Sequence, residues 1–238
     1  MTKKPMVIIG TVTLVILFVG WFFIAADKTA APSNSTTADS ATPVATPEGQ
    51  TGQTPTDGKL YIGNRDAKVT IVEYADYKCP KCGDFHQKAG KEIRAKYVET
   101  GQAKIEFRPF PLFGEDAGLA LYGSYCANEQ GKFTQYHDSV FGYMWEKYFK
   151  SGNFAAENEN TLTPTVLSGI AVSAGLEKSA FDACLVGNSH KTAYNQAVQL
   201  AAADSVTGTP TFIIGSEKVV GPQPFNIFKV LIDLELSR

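Results

Sequence analysis

The chain has 238 residues, 44% hydrophobic and 19% charged, which suffices for one globular domain with a sizeable core plus a tail. A formal net charge of −2 leaves no basic excess to hold a phosphate backbone, so nucleic-acid binding is set aside.

From Met6 to Ala26 the chain carries no charged side chain and is dense in Val, Ile, Leu and Phe. That is about the length a helix needs to cross a bilayer. Lys3 and Lys4 precede it, so the positive-inside rule keeps residues 1–5 in the cytoplasm and exports the remainder. A cleaved signal peptide, with Ala25 and Ala26 as small residues for cleavage, is the alternative, and it exports the domain equally. Residues 27–58 turn to Ala, Thr, Pro, Ser and Gly with almost no large apolar side chain, which predicts a disordered linker. The folded domain is expected over 59–238.

Within it, Val69 to Tyr74 is a β-branched run that predicts a largely buried strand. Pro80 to Val98 lacks strand alternation and predicts a helix, with Pro80 in the first turn and closure at Thr100-Gly101. A second strand follows at Ala103 to Phe107, ending before Pro109, and a parallel pair results. Asp116 to Lys150 and Thr163 to Ala203 read as helical, with Thr163-Pro164 as cap and first turn and a loop over Ser151 to Asn160 between them. Thr211 to Ile214 and Lys218 to Val220 form a hairpin around Gly215-Ser216. Phe225 to Leu236 closes the chain as an amphipathic helix.

The chemistry lies in the four cysteines of an exported chain. Cys79-Pro80-Lys81-Cys82 places Cys79 at a helix N-terminus, where unpaired N–H groups and the helix dipole favour the thiolate. Cys82, one turn on, is placed to resolve a mixed disulfide. The dipole supplies only about 1–2 kcal/mol, so any large drop in the Cys79 pKa rests mainly on direct N–H···S bonds. Lys81 reads equally as a thiolate-stabilising cation and as a solvated loop lysine. A zinc half-site using Cys79, Cys82 and His86 is the rival reading. Against it, Cys126 and Cys184 stand alone, 58 positions apart, and His86 reads as a helix-surface residue. His137 reads as a packing residue among Phe133, Tyr136 and Phe141, and His190 as a helix-surface residue. No phosphate-binding loop, nucleophilic serine motif or paired metal-ligand motif is visible, and no cofactor is predicted.

Three segments together resemble the DsbA-like thiol:disulfide oxidoreductases of the thioredoxin superfamily, over Tyr61 to Leu236. They are Ile62-Gly63-Asn64 through Glu73-Tyr74 into Cys79-Pro80-Lys81-Cys82, then Cys126 to Phe133 with Tyr136-His137-Asp138, and Val206-Thr207-Gly208-Thr209-Pro210-Thr211-Phe212. The resemblance implies an α/β thioredoxin fold with a helical insertion at about 114–186 between its βαβ and ββα halves. It implies that Pro210 is a cis-proline facing the cysteines and that Thr209 beside it meets extended substrate or tunes Cys79. Glu73 then matches the buried acid that moves protons in thiol exchange, its alternative being an exposed strand-edge glutamate. Cys126 and Cys184 match a structural disulfide of the insertion, its alternative being two buried free thiols.

The implied activity is an extracytoplasmic oxidase that passes a disulfide to reduced or unfolded exported proteins and is recharged by a quinone-linked membrane oxidase of the DsbB or VKOR type. The alternatives are a reductase running the same chemistry backwards and a non-catalytic peptide-binding or chaperone module.

Overall fold

The computed structural model describes residues 58–238. The expected cytoplasmic N-terminus, membrane segment at 6–26 and all but the last residue of the linker lie outside the described residues. Among the described residues, no helix is long and apolar enough to cross a membrane.

Five strands form one sheet in the order β1-β3-β2-β4-β5: β1 (Leu60–Ile62), β2 (Val69–Ala75), β3 (Ala103–Pro109), β4 (Thr211–Ile214) and β5 (Glu217–Val220). Central β2 runs parallel to β3, from Val69↔Ala103 to Ala75↔Pro109, and antiparallel to β4. A central strand is covered on both faces, which is why β2 reads as an unbroken apolar run. Ile71 and Ala75 enter the main core, while Val72 and Tyr74 meet Ala201 and Val206 on the other side. β4 and β5 join through Gly215-Ser216, and Gly215 takes φ 59, a conformation that tight hairpin turns require.

The segment predicted as one helix from Pro80 to Val98 is three pieces: α1 (Pro80–Gln87), α2 (Ala89–Ile93) and a π-helical turn at Arg94–Val98. The break falls at Lys88, φ −114 and ψ −104, and Gly90 permits it, because a Cβ there would lie 3.0 Å from the Phe85 carbonyl oxygen. Between β3 and β4 come α3 (Glu115–Glu129), α4 (Phe133–Lys147), α5 (Pro164–Ser173), α6 (Lys178–Val186) and α7 (Lys191–Ala203), and α8 (Phe225–Ser237) ends the chain. The stretch read as a loop over Ser151 to Asn160 holds the last residue of one 3-10 turn, Phe149–Ser151, and the whole of another, Phe154–Asn158. Thr163 caps α5 by accepting from the Val166 N–H, with Pro164 as the first residue. A βαβ half and a ββα half thus flank a block of helices, the thioredoxin-type α/β arrangement that the resemblance implies.

Cys126 of α3 and Cys184 of α6 are joined, with S–S 2.06 Å, closing a 58-residue separation. On the chain-entropy view, removing that closure costs about 4 kcal/mol. Cys126→Ser/Cys184→Ser is therefore expected to lose about that much in urea unfolding while the Cys79 thiol reacts unchanged. A loss below ~1 kcal/mol would mean that α3–α6 packing holds the insertion without the bond.

Candidate active site

β2 delivers the chain into a turn, Asp76 to Lys78, and α1 starts immediately beyond it, so Cys79 falls at the N-cap with extended dihedrals (φ −76, ψ 116). Proline at the first helical position needs no N–H partner and fits the fixed φ of a helix start. The Cys82 backbone N–H donates to Cys79 Sγ at 3.4 Å, and the Cys79 thiol points at the Thr209 carbonyl oxygen, 3.6 Å away. Both cysteines are free thiols and buried, Cys79 3% exposed and Cys82 fully enclosed.

Their environments push the two thiols apart. Cys79 is lowered from 9.0 to about 7, first by the hydrogen bond from the Cys82 side chain, then by Thr209 and the backbone N–H groups of Cys82 and Lys81, against the cost of burial. Cys82 is pushed well above the ordinary value, first by burial and then by its bond to Cys79. The sequence reading puts backbone N–H groups first; in the structure the side chain of Cys82, one turn on, contributes most to lowering Cys79. Lys81 contributes through its backbone, and its side chain is exposed.

With a pKa of about 7, roughly half of Cys79 is thiolate at neutral pH, against ~3% for an unperturbed thiol. Alkylation of the reduced chain should therefore rise with pH and level off with a midpoint at about 7. A midpoint at the ordinary 9.0 would show an unactivated thiol. The linkage has a fixed sign: a depressed acid stabilises the folded reduced form above its unfolded pKa. That gain is complete above 9.0 and is lost as pH falls through about 7.

The Thr209–Pro210 bond is cis, and Pro210 is buried at the entry to β4. The Thr209 hydroxyl is buried without a hydrogen bond of ordinary geometry, yet lies close enough to both sulfurs to lower both pKa values.

Glu73 lies on central β2, between Phe107 and Phe212 on the neighbouring strands, and is fully buried, not exposed at a strand edge. Its Oε1 lies 3.0 Å from His86 Nε2. His86 is thus not the helix-surface residue its sequence context predicts. It is 9% exposed, because Phe141 of α4 stacks on its ring at 3.9 Å and the α1 face bearing it turns toward the sheet. Engaged with Glu73, His86 does not converge with the two cysteines, which removes the third ligand of the zinc half-site. His137 is fully buried and packs against Phe107, Phe133 and Phe141, with Nδ1 3.2 Å from the Tyr77 hydroxyl, which in turn shares a hydrogen bond with Ser124. His190, partly buried at the start of α7, lies 2.9 Å from Glu129 rather than free on the helix surface.

Two residues of the turn before Cys79 escaped sequence reading. Lys78, only 1% exposed, donates from Nζ to Phe113 O (2.9 Å), Asp116 Oδ1 (2.7 Å) and Glu159 O (2.7 Å). Asp76 accepts from the backbone N–H groups of Lys78, Leu112 and Phe113, and burial still raises its pKa. Nothing in the local sequence separates a buried lysine from a solvated one here, since its acceptors come from chain 35 to 81 residues away.

The thioredoxin family profile matches residues 55–234, and the chain belongs to that family. It is 25% identical over 178 residues to a putative protein-disulfide oxidoreductase of Rickettsia prowazekii, covering 74% of this chain and 61% of that protein. The fold is similar to oxidised BdbD from Bacillus subtilis (TM-score 0.67, 22% identity, 79% of this chain and 97% of that one). It is also similar to alpha-DsbA1 of Wolbachia pipientis (TM-score 0.63, 25% identity, 77% and 93%). The chain spans less than two thirds of the length of these curated relatives, among them 22% of a Na(+)/H(+) antiporter of Salinispora tropica to which it is 30% identical over 162 residues.

Proposed function

We propose that this chain is an extracytoplasmic thiol:disulfide oxidoreductase, held at the membrane by residues 6–26, that donates a disulfide to reduced exported proteins. The observation that carries the thiol-exchange chemistry is the split pair: a Cys79 thiol lowered to about 7 beside a Cys82 thiol kept protonated. A substrate thiolate attacks Cys79 Sγ of the oxidised pair, the Cys79–Cys82 bond breaks, and Cys82 leaves and takes a proton. A second substrate thiolate then attacks the substrate sulfur of the mixed disulfide and releases Cys79 as thiolate. Two electrons pass from substrate to enzyme, and a quinone-linked membrane oxidase of the DsbB or VKOR type would remove them. The relatives named as protein-disulfide oxidoreductases support the class of reaction.

A second reading, export-side reductase, is favoured by the size of the Cys79 shift. A nucleophile at about 7 matches thioredoxin-like reductants (~7) better than the strongest oxidants (~3.5). Equilibration of the purified chain against glutathione buffers decides between them. A potential above roughly −200 mV supports donation, whereas one near −270 mV assigns the chain to reduction.

A further inference from the structure

We propose that His86 is the positioning residue through which Glu73 exchanges its proton with solvent, so that Glu73 and His86 form the proton route serving Cys82. The inference rests on the dithiol/disulfide reading above and adds the path by which the proton enters and leaves.

Four observations converge. Glu73 has no route of its own, being fully buried on the central strand, and its Oε2 has no hydrogen-bond partner among the described residues. Its Oε1 touches His86 Nε2 at 3.0 Å. His86 stands four residues after Cys82 on the same helix, so both buried side chains lie on one face of α1, the face on which Glu73 meets His86. His86 also lines a cavity of about 330 Å³ whose other walls include the exposed side chains of Lys91, Glu99 and Asp138. One side chain thus touches both the enclosed carboxyl group and the open cavity.

The groups around His86 leave that role to it. From α4, His137 faces it ring to ring at 4.8 Å, and burial followed by the nearby His86 holds His137 well below the ordinary histidine range, in its neutral form. Asp138 of α4 is paired with Arg94 of the π-helical turn at 2.5 Å, and Lys91 of α2 donates to Gln87 at 2.8 Å. From β2, Glu73 is the charged group in contact.

In the donating direction the proton balance is closed. Cys82 leaves the disulfide as a thiolate and takes a proton by way of the Glu73 carboxyl group. The Glu73 carboxylate takes the Nε2 proton of His86 as Nδ1 takes one from solvent in the cavity, so the imidazole stays neutral, and a ring flip restores the starting tautomer. No bond other than those to hydrogen changes on Glu73 or His86.

The test is oxidation of a dithiol peptide by the purified full chain from pH 6 to 9, for wild type, His86→Gln and His86→Ala. The alkylation rate of Cys79 reports that each variant is folded. His86→Gln can still donate to Glu73 Oε1 but carries no titrating proton. It is expected to be at least ~10-fold slower than wild type, with the deficit widening as pH rises and solvent protons grow scarce. His86→Ala should be slowed similarly and recover as imidazole is added, and added imidazole should not accelerate Glu73→Gln/His86→Ala. A His86→Gln enzyme as fast as wild type would reduce His86 to a hydrogen-bonding prop and overturn the proposal, as would a deficit that is equal at every pH and unmoved by imidazole. A wild type that neither oxidises the dithiol peptide nor reduces its disulfide would instead overturn the dithiol reading, and the proton route with it.

Discussion

Cys79→Ser is expected to abolish dithiol oxidation by this chain, while Cys82→Ser traps a substrate that carries a disulfide. The asymmetry follows from the environments of the two sulfurs. Cys79 sits at the N-cap, lowered to about 7, and the approach to it runs past the Thr209–Pro210 loop. Cys82 is fully enclosed and kept protonated by burial. A serine hydroxyl at position 79 forms no disulfide, so the rate should fall to that of uncatalysed exchange. With serine at position 82 the Cys79 thiolate can still attack the disulfide of an oxidised substrate and release one of its sulfurs as thiolate, but the mixed disulfide has no Cys82 thiol to resolve it, so up to about one oxidised substrate per chain should remain covalently attached, visible by mass under non-reducing conditions. Retained oxidation by Cys79→Ser would refute the assignment of the nucleophile. Peptide binding unchanged by loss of both cysteines, with no oxidation by the wild type, would favour a non-catalytic binding module instead.

The parts legible in the sequence were those whose cause is local. β2 declares itself because a strand covered on both faces needs apolar side chains throughout, and the single carboxylate in it, Glu73, is conspicuous for the same reason. The helix start at Cys79-Pro80 is legible because proline there loses no hydrogen bond. The break at Lys88 is not, because it depends on how closely Gly90 approaches the Phe85 carbonyl, a distance set by folding rather than by propensity. His86 was misread for a related reason. Its neighbours Gln87 and Lys88 are polar, and only the packing of α4, with Phe141 over the ring, shows that its face of α1 points inward. The spacing of four from Cys82 was the available signal.

The turn before the nucleophile depends on the same long-range logic. Lys78→Met is expected to destabilise the chain by about 3 kcal/mol, because it removes the buried partner of a part-buried ion pair and leaves Asp116 with an uncompensated charge. Asp116 Oδ1 receives Lys78 while its Oδ2 accepts from the Thr161 and Leu162 N–H groups, so one carboxylate ties the turn before Cys79 to α3 and to the segment entering α5. Lys78 also holds the Phe113 and Glu159 carbonyl oxygens, both of which would lose a charged donor. For a domain of this size the loss corresponds to a melting shift of about 10 °C. Lys78→Met/Asp116→Asn should recover part of it, since the neutral amide removes the stranded charge and its oxygen can still accept a backbone N–H. Because the turn fixes where α1 begins, the Cys79 alkylation midpoint of Lys78→Met should also drift upward from about 7. A Lys78→Met variant within ~1 kcal/mol of wild type, with that midpoint unmoved, would show that the N-cap geometry is set by β2 and Pro80 without the buried cation.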